Sequence, residues 1–294
     1  MSYISETLRT RFGETDTLRD KGLTTPGDIQ RFDNIVYGED PVSQILDVYR
    51  PKNETGLLPV IVSVHGGGWV YGDKERYQFY CMNLAQRGFA VINFTYRLAP
   101  EHKFPCGLED TCRTFEWAGK HASEYGFDMD HLFAAGDSAG ANLLELYCAA
   151  CINTDYRSRL AFPVKDYYLP KAVALNCGVH VITVSEDPDD RFNTLLMADY
   201  LEGKGTAGEL RMVNISDVIT KDFPPAYIMT AEEDFLKFQL PAVVGMFLKN
   251  NIPFTAKCFT SSSEKLGHVF HLNIRSEAAR LCNDEECAFF RSFL

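Results

Sequence analysis

The chain has 294 residues, 46% of them apolar, with nine cysteines and a formal net charge of −11. That length and apolar content suffice for a core that needs no disulfide or metal staples, while the acidic excess and the lack of a long Lys/Arg run exclude nucleic acid as a partner. The odd cysteine count, with Cys148, Cys177 and Cys258 inside segments that read as core, predicts reduced and mostly buried thiols.

In chain order, the opening "MSYISETLRTRFGETDT" carries no apolar signal-type segment. No later stretch reaches the roughly 18 uninterrupted apolar residues of a membrane span, so no membrane partner is expected and the expected location is cytoplasmic. Residues 1–30 are amphipathic and form a candidate cap element. Next, "DIQRFDNIVYG" (28–38) and "SQILDVYRP" (43–51) alternate in part and are joined by a Glu-Asp-Pro turn, which predicts an antiparallel pair at a sheet edge.

From residue 60, short apolar runs alternate with helical stretches. The runs are "VIVSV" (60–64), "AVINFTY" (90–96), "HLFAAG" (131–136), "AVALNCGV" (172–179), "AYIMTA" (226–231) and "FTAKCF" (254–259). Residues 75–87, 108–123, 138–152 and 237–250 are long enough to be crossover helices, so the pattern predicts an α/β fold with a mostly parallel sheet covered on both faces. The one C-x-x-C, Cys148 to Cys151, lies in such a helix and reads as packing. No repeat or linker divides the chain, which reads as one domain over 1–294. Residues 180–222 exceed a simple crossover, contain "SEDPDDR" and "EGKGTAGE", and are a second candidate cap element.

The chemistry centres on "GDSAGAN", residues 136–142. A serine there could simply start a helix, since serine is a favoured N-cap. Ser138, however, falls on the turn between a strand and a helix candidate, with glycines two residues to either side. That is the setting of a nucleophile elbow, and an N-cap needs neither glycine. A serine nucleophile requires a base and an orienting carboxylate, and in this fold both come later in the chain. His268 and His271 follow the last strand candidate; His268 lies in a loop and His271 where the final helix begins, so His268 is the candidate base and His271 structural. Glu232, Glu233 and Asp234 follow the penultimate strand and are the candidate acids. "HGGGW" (65–69) follows "VIVSV", and its glycines let amides approach an oxyanion, so Gly66, Gly67 and Ala139 are the candidate donors and His65 a loop organiser. Trp69, Tyr71 and Phe270 stand close to these elements as candidate substrate-pocket aromatics.

Taken in order, "HGGGW", "YRLAPEHKFP" (96–105), "GDSAGAN" and "GHVFH" (267–271) resemble the hormone-sensitive-lipase-like esterases of the α/β-hydrolase superfamily over roughly residues 30–294. The resemblance implies the α/β-hydrolase fold, Ser138 as nucleophile, Asp234 as acid with Glu233 in reserve, and His268 as base. It also implies a small cap, a small-molecule ester substrate, and neither metal nor other cofactor. The chain departs from the family pattern at Val269 and Ala141, where glycine is usual, and at Phe238, where a second acid is frequent. Asp137 is expected to bond to neighbouring loops, and Arg97 to pair with Glu101.

The activity expected is hydrolysis of acetyl- to butyryl-type esters through an acyl-enzyme. The alternatives are deacetylation of a carbohydrate or an amide, or a non-catalytic ligand-binding role on the same scaffold. A lipid-interface role would need an apolar lid, which the polar 185–222 segment does not supply. A homo-oligomer is compatible with such a chain.

Overall fold

The apolar runs between residues 58 and 231 reflect strands covered on both faces. In the computed structural model, which describes residues 1–164, 168–185 and 191–294, eight strands form one sheet. They are β1 (Ile29–Val36), β2 (Ile45–Pro51), β3 (Leu58–Val64), β4 (Ala90–Phe94), β5 (Phe127–Asp137), β6 (Ala172–Asn176), β7 (Ala226–Ala231) and β8 (Phe254–Phe259). The order across the sheet is β1-β2-β4-β3-β5-β6-β7-β8. β1 pairs antiparallel with β2, and β2 with β4; the remaining neighbours are parallel.

The helices are α1 (Tyr3–Asp20), α2 (Lys74–Ala85), α3 (Cys106–Lys120), α4 (Ala122–Tyr125), α5 (Ala139–Ile152), α6 (Thr154–Ser158), α7 (Arg191–Tyr200), α8 (Ala207–Val213), α9 (Gln239–Asn250) and α10 (Glu277–Arg291). Strand alternation sends successive residues to opposite layers. Val60, Val62 and Val64 join a core with Phe115 of α3, Leu143 of α5 and Phe247 of α9. Ile61 joins the other, with Tyr80 and Met82 of α2 and Phe290 of α10. None of the helices among the described residues is long and apolar enough to cross a membrane.

α1 lies over the carboxyl ends of the strands and is held there by specific bonds. The Ser2 amide donates to Asp199 of α7 at 2.8 Å, and Arg9 donates to the Val70 carbonyl at 2.7 Å and the Ala99 carbonyl at 3.0 Å. In the 180–222 segment, "EGKGTAGE" leads into α8 through a capping box formed by Thr206 and Glu209. Most of "SEDPDDR", residues 186–190, lies outside the described residues.

Two expectations are corrected. Arg97 does not pair with Glu101: it binds Asp110 at 2.7 Å and Glu109 at 2.8 Å, because α3 turns back beneath it, while Glu101 pairs with Arg9 at 2.7 Å. Cys258 is exposed, because β8 is the outermost strand and buries only Phe259 fully. Cys148 and Cys151 are buried and form no disulfide, which fits a packing role.

Candidate active site

The turn between β5 and α5 is as tight as its glycines imply. A Cβ on Gly140 would lie 2.1 Å from the Val64 carbonyl oxygen, and one on Gly136 would lie 2.7 Å from the Gly140 oxygen. Between them Ser138 is held at φ 52° and ψ −120°, a costly left-handed conformation for a side-chain-bearing residue. Its amide donates to Asn176 at 3.0 Å, and its carbonyl accepts from Val179 at 3.1 Å. The hydroxyl makes no cap bond to α5, so the residue does not serve as an N-cap. It opens instead on a cavity of about 340 Å³ shared with Gly66, Gly67, Gly68 and His268.

His268 lines the same cavity, and its Nδ1 donates to Asp234 Oδ1 at 2.8 Å. An ionised carboxylate only accepts, so this bond keeps the hydrogen on Nδ1 and leaves Nε2 with its lone pair. Asp234, on the turn after β7, is almost fully buried. Thr230 donates to its Oδ2 at 2.8 Å and the Leu236 amide to its Oδ1 at 2.8 Å. Burial pushes the Asp234 carboxyl up, but the His268 bond and charge, the Leu236 amide and the Cys177 thiol outweigh it and hold the group below the usual aspartate value. Glu233 is exposed, and Asp234 is the carboxylate bonded to His268. Phe235 lies over the imidazole, ring centroids 4.3 Å apart.

The "HGGGW" turn differs from expectation at one amide. Gly66 N–H donates to the Tyr77 hydroxyl at 2.9 Å and is already satisfied. Gly67, at φ 111°, packs so closely that an added Cβ would lie 2.1 Å from the Tyr71 carbonyl oxygen. The amides of Gly67, Gly68 and Ala139 donate to no protein group among the described residues. His65 does organise the loop: its ring stacks on Tyr96 at 4.0 Å, its Nδ1 meets the Gly66 carbonyl at 2.8 Å, and burial holds it down to about 4. Tyr77, which sequence reasoning missed, also donates to Asp137 Oδ2 at 2.8 Å. Burial pushes that carboxyl up to about 7, against the Tyr77 bond and the Arg19 charge.

Trp69 and Tyr71 line the cavity, but Phe270 does not. A short 3₁₀ turn, Phe270–Leu272, swings Phe270 into the core against Phe259, and Val269 takes the lining position. His271 is buried and held down to about 3 by burial, with the His268 and Arg19 charges acting in the same direction. Leu8 and Phe12 of α1 and Leu196 and Met197 of α7 form the apolar walls, so both candidate cap segments contribute to the cavity.

Among the described residues, Cys177, Asp234 and His268 form the one group whose ligand atoms converge, within 4.8 Å of one another, in a set that could hold a metal. The facing oxygen of Asp234 and nitrogen of His268 are already bonded to each other. The site as built is a serine hydroxyl, an oriented imidazole and the Gly67 and Gly68 amides around one cavity, with the Ala139 amide next in chain to the serine; none of the three amides has a partner among the described residues.

Residues 61–272 match the model of the family described as alpha/beta hydrolase fold. The chain is 38% identical over 97 residues to versiconal hemiacetal acetate esterase of Dothistroma septosporum, covering 33% of this chain and 30% of that protein. It is 36% identical over 135 residues to carboxylesterase NlhH of Mycobacterium tuberculosis, covering 44% and 42%. The match thus spans less than half the length of either curated relative. Among solved structures, esterase B of Lactobacillus rhamnosis with a C4-C4 SN3 tributyrin phosphonate superposes with a TM-score of 0.87 at 26% identity, covering 99% of this chain and 95% of that one.

Proposed function

Since the chain belongs to the hormone-sensitive-lipase-like family of α/β hydrolases, we propose that it is a carboxylesterase acting on short-chain acyl esters. The observation that carries this reading is the Ser138 hydroxyl, left uncapped by a strained backbone and opening on the cavity that His268 also lines. In this reading His268 Nε2 takes the hydroxyl proton as Ser138 Oγ attacks the ester carbonyl, and Asp234 stabilises the imidazolium through the Nδ1 bond. The oxyanion is held by amides of Gly67, Gly68 and Ala139, each worth about 2.7–4 kcal/mol in transition-state stabilisation. Imidazolium then protonates the leaving alkoxide. Water, deprotonated by the same nitrogen, attacks the acyl-enzyme and releases the acid.

Acyl length follows from cavity size. About 340 Å³ is at the low end of the roughly 300–1,000 Å³ typical of small-molecule sites, and its walls are mostly aliphatic and aromatic, with Asp16, Asn193 and Gln239 among the polar groups. The acetate ester named for the Dothistroma relative and the C4 chains of the esterase B inhibitor support the same acyl range.

The test is hydrolysis of p-nitrophenyl esters from acetyl to dodecanoyl by the wild type and by Ser138→Ala. Turnover of the acetyl and butyryl esters that disappears in the variant is expected. A wild type inactive on the whole series, or a variant as active as the wild type, would sink the reading and put a ligand-binding role first.

A further inference from the structure

Behind the Asp234–His268 pair, on the side away from the cavity, stands Cys177. It is the first residue past β6, almost fully buried, and does not line the cavity. Its backbone is in the left-handed region at φ 48°, and its amide donates to the Met229 carbonyl at 2.7 Å. This unusual conformation aims the side chain across the end of the sheet. Its Sγ, a carboxylate oxygen of Asp234 and a ring nitrogen of His268 all lie within 4.8 Å of one another.

The thiol hydrogen rotates about Cβ–Sγ and has two acceptors within reach. One is the Met229 thioether, a weak acceptor to which it donates at 4.0 Å; the other is the ionised Asp234 carboxylate, with an oxygen within 4.8 Å of the sulfur, and charge-assisted bonds are the stronger kind. Burial pushes the thiol well above its ordinary value, and the Asp234 charge adds to the effect, so it stays protonated and is a donor rather than a nucleophile.

We propose that Cys177 is a positioning residue for the reaction: its thiol donates to Asp234 and helps to hold the acid against the base. The inference rests on the Ser138–His268–Asp234 reading. Each donor on Asp234 draws charge from the carboxylate and weakens its hold on the imidazolium. Removing one makes His268 more basic. The other titratable and charged groups around the pair are His271, in the turn after the base, Cys282 on α10 beside Cys177, and Arg19 on α1. His271 is held down to about 3 and so stays neutral across the working range.

The experiment compares wild type, Cys177→Ala and Cys177→Ser in pH profiles of kcat/KM on p-nitrophenyl butyrate, with the Nδ1 proton resonance of His268 as a second readout. In Cys177→Ala the acid limb is expected to move to higher pH by about 0.3–1 unit and kcat to fall about three- to tenfold, with KM unchanged because the residue lies outside the cavity. The hydroxyl of Cys177→Ser should restore the limb and the resonance. A wild-type limb and resonance in Cys177→Ala, or a shift that Cys177→Ser does not reverse, would overturn the proposal. Asp234→Asn in the same assay separates the two readings. If it retains full activity, the triad reading fails; if it loses activity while Cys177→Ala keeps the wild-type limb, only the role of Cys177 fails.

Discussion

The Tyr77 hydroxyl donates to the buried Asp137 carboxylate at 2.8 Å. The same oxygen accepts the Gly66 amide at 2.9 Å, so one phenol on α2 ties the residue before the nucleophile to the "HGGGW" turn. Tyr77→Phe keeps the ring and leaves a buried amide without its partner, a loss of about 1–3 kcal/mol. Thermal unfolding should show a lower Tm, and kcat on p-nitrophenyl butyrate should fall as the turn loosens. A variant matching the wild type in both would show that the phenol does not hold the turn.

Glu286 of α10 makes stability depend on pH. It is fully buried, accepts from Asn176 at 2.7 Å and Tyr80 at 2.9 Å, and burial pushes it up to about 7 against both bonds. Between about pH 4.5 and 7 the folded chain holds a proton that the unfolded chain has released, so the folded state binds more protons and stability falls as pH rises. This contribution is fully present below about 4.5 and lost through 7; the shift sets it on the order of 3 kcal/mol. Glu286→Gln removes the titration, and Asn176, whose Oδ1 has no partner among the described residues, can turn to accept from the new amide. Tm measured from pH 5 to 8 should decline less in the variant; parallel curves would refute the assignment.

Five of the six parallel strands, β3 to β7, were legible because both of their faces are largely buried, which writes them into the sequence as apolar runs, whereas β8 at the sheet edge was legible from its place in the alternation. Ser138 was legible because a tight elbow needs glycine on either side of it, and His268 because it follows the last strand in a loop, although nothing among the described residues crowds Gly267 there. The partner of Gly66 was not, since Tyr77 sits on a different element and no periodicity links a helix hydroxyl to a loop amide. Phe270 was misjudged for a related reason: nearness in sequence to His268 says nothing of direction, and a single 3₁₀ turn reverses it. Arg97 was assigned the wrong acid because Glu101 is nearer in sequence, whereas α3 brings Asp110 back beneath it. Cys177 was read only as a core thiol; its φ of 48° carries no sequence signal in a non-glycine residue.

α1 closes the cavity through Arg9, and its two kinds of contact predict different outcomes. The ion pair to Glu101 is half-exposed on the acid side, and pairs of that kind contribute about 0–1 kcal/mol. The bonds to the Val70 and Ala99 carbonyls anchor the helix that carries Leu8 and Phe12. Glu101→Ala should therefore leave KM for p-nitrophenyl butyrate within about twofold of wild type. Arg9→Ala should raise KM severalfold with a smaller change in kcat. Equal effects from the two variants would mean that the ion pair, and not the carbonyl bonds, seats α1.

Two glycines test whether the elbow is limited by space or by flexibility. At Gly140 an added methyl would lie 2.1 Å from the Val64 oxygen and 2.5 Å from the His65 oxygen, and both are backbone atoms that cannot swing away. At Gly245, on the exposed side of α9, nothing among the described residues would lie within 4 Å of an added methyl. Alanine also loses less backbone entropy than glycine when a helix forms, so Gly245→Ala should stabilise the chain by about 0.5–1 kcal/mol and leave activity unchanged. Gly140→Ala forces α5 away from β3; it should cost at least about 3 kcal/mol, and any protein that folds should lose turnover because Ser138 moves with the helix. Denaturant titration of both variants beside the wild type gives the comparison. A Gly140→Ala protein with wild-type stability and turnover would mean that the strand and helix at the elbow have room to part, and that glycine serves there for flexibility alone.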